Sequence, residues 1–165
     1  MYFVIVIATT IVLPIASALI DIQANLGWDM AATSSTALLI ESLGKWYAFW
    51  AGGVRLMLAA LRQILMPEMT LKNIFEIDHP PSGHIVQELG FANFAIAVLC
   101  LASLPLYRLL PGAMLVASLF YGLAGFQHLR KTGRNAERTL AMLTDLLVFA
   151  VLAVAFVFTF SGGDM

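Results

Sequence analysis

Residues 45–66 read KWYAFWAGGVRLMLAALRQILM, an apolar run with Arg55 near its middle. A spanning helix needs about 20 predominantly apolar residues, because each adds about 1.5 Å toward a hydrocarbon core roughly 30 Å thick. This run is long enough. A guanidinium stays charged inside a protein, and at the centre of a membrane helix it costs roughly 2.5–3.5 kcal/mol on insertion scales. If residues 45–66 cross a bilayer, the rest of the chain must bring Arg55 a partner, a water-filled cavity or a route to the interface.

The totals agree with a membrane setting. Of 165 residues, 61% are hydrophobic and 12% charged, against about 25% charged in soluble domains. One transmembrane helical domain over residues 1–165 is expected. The formal net charge of −1, with no long basic block, argues against nucleic acid, since phosphate binding needs a concentrated positive surface. Membrane lipids are the expected partners, with a homo-oligomer or a larger membrane complex as the protein ones. Cys100 is the single cysteine, so neither an intrachain disulfide nor a Cys-based zinc motif can form. Nucleophile elbow, P-loop and dinucleotide glycine motif are all lacking. The balance leans away from an enzyme, and no catalytic residue is assigned.

Taken in order, the chain yields five spans. Residues 2–20 form the first, with a kink expected at Pro14. Ala16-Ser17-Ala18 resembles a signal-peptidase box, but no positive segment precedes it, which favours a retained helix. Residues 21–44 carry Asp21, Asp29 and Glu41 and read as a loop or interfacial segment, with a short amphipathic turn over 37–43 capped by Ser35 or Thr36 and ended by Gly44. The second span starts at Lys45, its Trp46, Tyr47 and Trp50 placed at headgroup level. Residues 67–84 form an extramembrane loop, with a short helix expected after Thr70 over LKNIFEI. The third span runs over 85–104. Pro105 and Pro111 bracket a short connection, so the third and fourth spans are expected to form a tight antiparallel pair. The fourth, 112–129, has small residues at Ala113, Ala117, Ser118, Gly122 and Gly125, for which internal packing is favoured over dimerisation. The fifth covers 139–160. The fold expected is all-α, a polytopic integral membrane protein built as a bundle of five transmembrane helices.

Residues 130–138 hold four of the nine basic residues, which places that connection in the cytoplasm by the positive-inside rule. The N-terminus is then cytoplasmic and the C-terminus outside. Depth follows at about 1.5 Å per residue. Glu88, Arg62 and Asp145 fall one or two turns inside the cytoplasmic boundary, Arg55 and Asn93 lie nearer the midplane, and His84 and His128 stand at the boundary itself. Charges inside a bilayer face the bundle interior and pair with one another. Arg55 and Arg62 are therefore expected opposite Glu88 and Asp145, with Gln63, Asn93 and Gln127 completing the hydrogen bonds around a polar pocket in the cytoplasmic half. Such an array is either a structural ion-pair network, or a site for an anionic or polar ligand or a proton relay; the leading expectation is a site for a small polar or amphipathic molecule. The ligand-binding candidates are Arg55, Arg62, Gln63, Glu88, Asn93, His128 and Asp145. A metal or haem site at His84, Glu88 and His128 is the lesser alternative, because two histidines and a carboxylate from neighbouring helices can ligate. No metal or cofactor is expected as the leading reading.

The runs KWYAFWAGGVRLMLAALRQ, IFEI, QELGFANFAIAV, FYGLAGFQHL and NAERTLAMLTDL, in that order, resemble a family of small prokaryotic multi-pass membrane proteins of undefined function. More distantly the chain is similar to the DoxX-like membrane proteins. The resemblance covers residues 45–146, with Lys45, Trp46, Arg55, Arg62, Gln63, Glu88, Asn93, His128, Glu137 and Asp145 at the motif places. It implies a fold and a prokaryotic inner or plasma membrane. Through the DoxX-like side it implies a quinone-linked redox enzyme or subunit, by analogy alone. A structural subunit of a larger complex is the third expectation.

Overall fold

The structure, a computed structural model, describes residues 2–26, 35–70, 83–130 and 136–161. No strand occurs among them, and five helices are long and apolar enough to cross a membrane: α1 (Tyr2–Asn25), α2 (Thr36–Leu65), α3 (Gly83–Ala102), α4 (Tyr107–Arg130) and α5 (Ala136–Phe160). The chain is an all-α, multi-pass membrane protein.

Large apolar side chains face outward, among them Val4, Leu19, Leu65, Ile85, Leu123 and Phe160, while Ala51, Ala60, Ala97, Ala113 and Ala117 are wholly buried. Lipid tails are as apolar as leucine, so burying leucine gains little; close backbone approach and dense packing hold the helices together instead. A Cβ on Gly44 would lie 2.5 Å from both the Ala155 Cβ and the Met114 Cε. One on Gly122 would lie 2.8 Å from the Phe149 ring, and one on Gly125 2.8 Å from the Leu146 side chain. The small row of α4 is therefore occupied inside the chain, by α5 at Gly122 and Gly125, by α2 at Ala117 and by α3 at Ala113.

Those contacts correct several expectations. Gly44 does not end a short turn: the helix begins at Ser35 and runs through it, because Gly44 is the point where α2 meets α4 and α5. The first helix likewise continues to Leu26, past Asp21. Helices α3 and α4 are joined by the turn over 103–106, with α4 opening in a single 3-10 turn, Tyr107–Leu109, yet they are not the tight pair. Instead α4 lies mainly along α5, and α3 mainly along α2, where Gly90 fits against Gln63 and Ile64. Nor are the aromatics midway along α2 only a headgroup belt. Tyr47 is buried in the core, and the Trp50 indole donates to Ser17 Oγ at 3.0 Å, fastening α2 to α1. Pro67–Thr70 is a short helix; the segment LKNIFEI and the basic residues 131–135 lie outside the described residues.

Two stretches depart from α-helical winding. Ala8–Val12 in α1 and Ala48–Arg55 in α2 are π-helical, and the two pack on each other. In α1 the cause is Pro14, which has no N–H to donate and whose ring crowds the carbonyl four residues back, that of Thr10. The chain relieves this by widening just before the proline, where a kink was expected. In α2 the widened turn contains Gly52 and Gly53, both buried against α3. π-turns recur where a helix carries function, and this one ends on Arg55.

Candidate functional site

From the end of the π-segment the Arg55 side chain turns into the bundle. Its Nη2 donates to Asp145 Oδ1 at 2.8 Å and to Thr144 Oγ1 at 3.2 Å, and its Nη1 to Thr10 Oγ1 at 3.4 Å. The guanidinium carbon sits 5.3 Å from the centre of the Tyr121 ring, a cation–π contact. Helices α1, α4 and α5 thus all answer the charge on α2. The Arg55 and Asp145 side chains are 13% and 7% exposed.

The partners are themselves held. Thr144 Oγ1 donates to the Leu140 or Ala141 carbonyl, at 2.8 and 3.0 Å, and so turns its lone pairs to Arg55. The Tyr121 hydroxyl donates to the Ala51 carbonyl at 2.6 Å, inside the π-segment. One tyrosine therefore braces the widened backbone with its hydroxyl and the guanidinium with its ring.

Beside this cluster lies a cavity of about 470 Å³. Helix α2 contributes Arg55, Ala59 and Gln63 to its wall, and α3 contributes Leu89 and Asn93. Tyr121, Gln127 and His128 come from α4, Asp145 from α5, and Tyr2 from α1. Leu123 also lines it and is 71% exposed, so the cavity reaches the lipid-facing surface between helices. Within the wall, Asn93 Nδ2 donates to Gln63 Oε1 at 2.7 Å. Asn93 Oδ1 is buried without a hydrogen-bond partner among the described residues.

Five of the seven sequence candidates meet at this cavity: Arg55, Gln63, Asn93, His128 and Asp145. Arg62 and Glu88 do not. Below Arg55 helix α2 is α-helical, and the row facing the cavity is i, i+4, i+8 (Arg55, Ala59, Gln63). Arg62 falls on the far side of Arg55 from Gln63 and is half-buried outside the wall. Glu88 precedes Asn93 by five residues, about 140° around the helix, and is exposed on the outer side of α3. His84 is exposed on α3 as well, so the set His84, Glu88 and His128 is not assembled, and no group of three metal-ligating side chains occurs among the described residues. Thr10, Thr144, Tyr121 and Tyr2 were not anticipated. The Thr144-Asp145 pair and the hydroxyls of Thr9-Thr10 inside an apolar run were the signals available for them.

At the other end of the bundle a second polar cluster joins α1 to α2. Asp21 accepts from Ser42 Oγ at 2.8 Å and pairs with Lys45, whose ammonium lies 5.4 Å from the Trp46 ring centre. A groove of about 400 Å³ nearby is lined by Glu41, Tyr107, Arg108 and Phe158. Tyr107 donates to Glu41, and all three polar side chains are exposed, so water can complete their hydrogen bonds.

Comparison with protein-family models, with curated proteins and with solved structures found no match.

Proposed function

We propose that the chain binds, or moves within the membrane, a small polar or amphipathic molecule held in the cavity beside Arg55 and Asp145. The observation that carries this reading is the make-up of that cavity: a buried ion pair and a buried amide pair in its wall, and an edge at Leu123 that meets lipid. A ligand with a polar group and an apolar remainder fits such a wall, because each part finds its like. The Asp21, Ser42 and Lys45 cluster ties neighbouring helices, and none of the three lines the groove near it.

The basic segment over 130–138 supports a cytoplasmic position for the end of the bundle that holds the cavity, with the N-terminus inside and the C-terminus outside. The sequence resemblance favours a prokaryotic inner membrane. A second reading is a quinone-linked, DoxX-like redox role. Its support is the cavity's lateral edge, which would admit a quinone ring from the bilayer to the hydrogen-bonding groups of Gln63, Asn93 and Arg55.

Native mass spectrometry of the detergent-purified protein, followed by solvent extraction, tests the proposal. One molecule bound per chain, lost in Leu123→Trp, is the expected result, and a reduction-dependent absorbance change of the extract would select the quinone. Identical bound masses in both proteins would refute the reading and leave a structural subunit as the account.

A further inference from the structure

We infer that the cavity beside Arg55 takes an anionic amphiphile together with one proton, the anion on Arg55 and the proton on Asp145 Oδ2. This rests on the binding reading above and names the ligand class and its coupling.

The Arg55–Asp145 pair is closed on one side only. Asp145 gives Oδ1 to Arg55, while its Oδ2 accepts no hydrogen bond among the described residues. Nor is Oδ2 sealed off by protein as Asn93 Oδ1 is, although the Asp145 side chain is only 7% exposed. Since Asp145 stands in the cavity wall, that oxygen is an acceptor a bound molecule can reach. Arg55 is open in the same way. Its Nη2 donates to Asp145 and Thr144 and its Nη1 to Thr10, which leaves the Nε hydrogen and one on Nη1, with the Tyr121 oxygen near the guanidinium. An open acceptor and open donors thus stand side by side in one wall.

Charge decides what answers them. Among the described wall residues Arg55 and Asp145 are the sole arginine, lysine, aspartate or glutamate, so their charges cancel. An anion alone would leave one negative charge in excess in a poorly solvated space, and a cation alone one positive; both are costly. An anion that arrives with a proton leaves the sum unchanged. The proton, drawn from water, bonds to Oδ2, and Oδ1 goes on accepting from Nη2. The new O–H donates to the oxyanion of the ligand, which also accepts the remaining N–H groups of Arg55. Bonds between a guanidinium and an oxyanion are about twice as strong as neutral ones, which favours this ligand over an uncharged one. Arg55 keeps its place when Asp145 is neutralised, because Thr10, Thr144 and the Tyr121 ring also hold it.

The titratable groups facing Asp145 are Arg55 from α2, Tyr121 and His128 from α4, and Tyr2 from α1, with Glu137 and Arg62 in electrostatic range of Tyr2. Helix α3 brings only Leu89 and Asn93 to the wall. His128 is therefore the rival proton acceptor near neutral pH. The apolar part of the ligand runs along Leu89, Phe120 and Leu123 to the lipid.

The test uses probes whose own charge does not change with pH: 1-dodecanesulfonate, dodecyltrimethylammonium and, uncharged, 1-dodecanol. Each is titrated calorimetrically into the full chain in maltoside micelles, in two buffers of different ionisation enthalpy. The sulfonate should bind most tightly and take up about one proton, so that its affinity falls about tenfold for each pH unit of rise near neutrality. Asp145→Asn, which carries no charge and keeps an oxygen for Nη2, should bind the sulfonate with neither proton uptake nor pH slope. His128→Gln should keep both. If Asp145→Asn does not fold, the wild type and His128→Gln decide by themselves. Sulfonate binding without proton uptake, uptake that survives Asp145→Asn or vanishes in His128→Gln, or ammonium or alcohol bound as tightly as the sulfonate would each overturn the inference while leaving the cavity a binding site. Failure of all three probes, or binding that Leu123→Trp does not alter, would overturn the binding reading with it.

Discussion

Two ion pairs among the described residues, Asp21–Lys45 and Arg55–Asp145, lie toward opposite ends of the bundle and are built differently. Asp21 and Lys45 tie neighbouring helices α1 and α2 together, with Ser42 on the same carboxylate. Their side chains are 18% and 20% exposed. Arg55 and Asp145 join α2 to α5, distant in sequence, are more deeply buried, and draw in Thr10, Thr144 and Tyr121 from three helices. The first cluster is a clasp between two consecutive helices. The second is a hub with a cavity at its side; a buried polar atom without a partner among the described residues lies near each, Trp46 Nε1 at the clasp and Asn93 Oδ1 at the hub. The difference shows where polarity is merely tolerated in an apolar bundle and where space has been kept for it.

Breaking the hub should cost most. Asp145→Leu leaves a buried guanidinium uncompensated, and a loss of roughly 3–5 kcal/mol is expected in detergent unfolding titrations. Arg55→Leu/Asp145→Leu should recover most of it, because an apolar pair of similar volume replaces the charges. Equal losses in the single and double variants would remove the distinction between hub and clasp. Tyr121→Phe keeps the ring under Arg55 but strips the hydroxyl from the Ala51 carbonyl. About 1 kcal/mol should be lost, with faster amide exchange confined to the π-segment of α2.

At the clasp the effect should be smaller. Lys45→Met is expected to cost less than about 1 kcal/mol, since its partner stays partly solvated. Smaller still is Glu88→Gln: a change within about 0.5 kcal/mol and unaltered binding of any cavity ligand. A large loss there would mean that α3 is rotated from the orientation described.

Much of this was legible in the sequence, and the limits have a physical origin. Spans and depths follow from counting residues along a helix axis, so Arg55, Gln63, Asn93, His128 and Asp145 could be brought to one level before any packing was known. Azimuth could not be counted. Glu88 stands at the right depth but on the outer face, because the face α3 turns inward is set by where Gly90 lets it approach α2. Arg62 shares most of a face with Arg55, yet the row i, i+4, i+8 selects Gln63 over it. The π-segments were also hidden: Gly52 and Gly53 mark a close contact, but nothing in their letters says that the turn widens there. The second helix begins ten residues earlier than its aromatic cluster indicated, since Gly44 reads as a stop in water and acts as a contact in a bundle.

The contrast between the two ends can be put to one measurement. Native mass spectra of the detergent-purified protein should be compared with those of Leu123→Trp, which fills the edge of the hub's cavity, and Ala37→Trp, which fills the groove at the other end. A bound molecule that disappears in Leu123→Trp and persists in Ala37→Trp is the predicted result. One that persists in Leu123→Trp and is lost in Ala37→Trp would contradict the account, placing the site at the end held by Asp21 and Lys45.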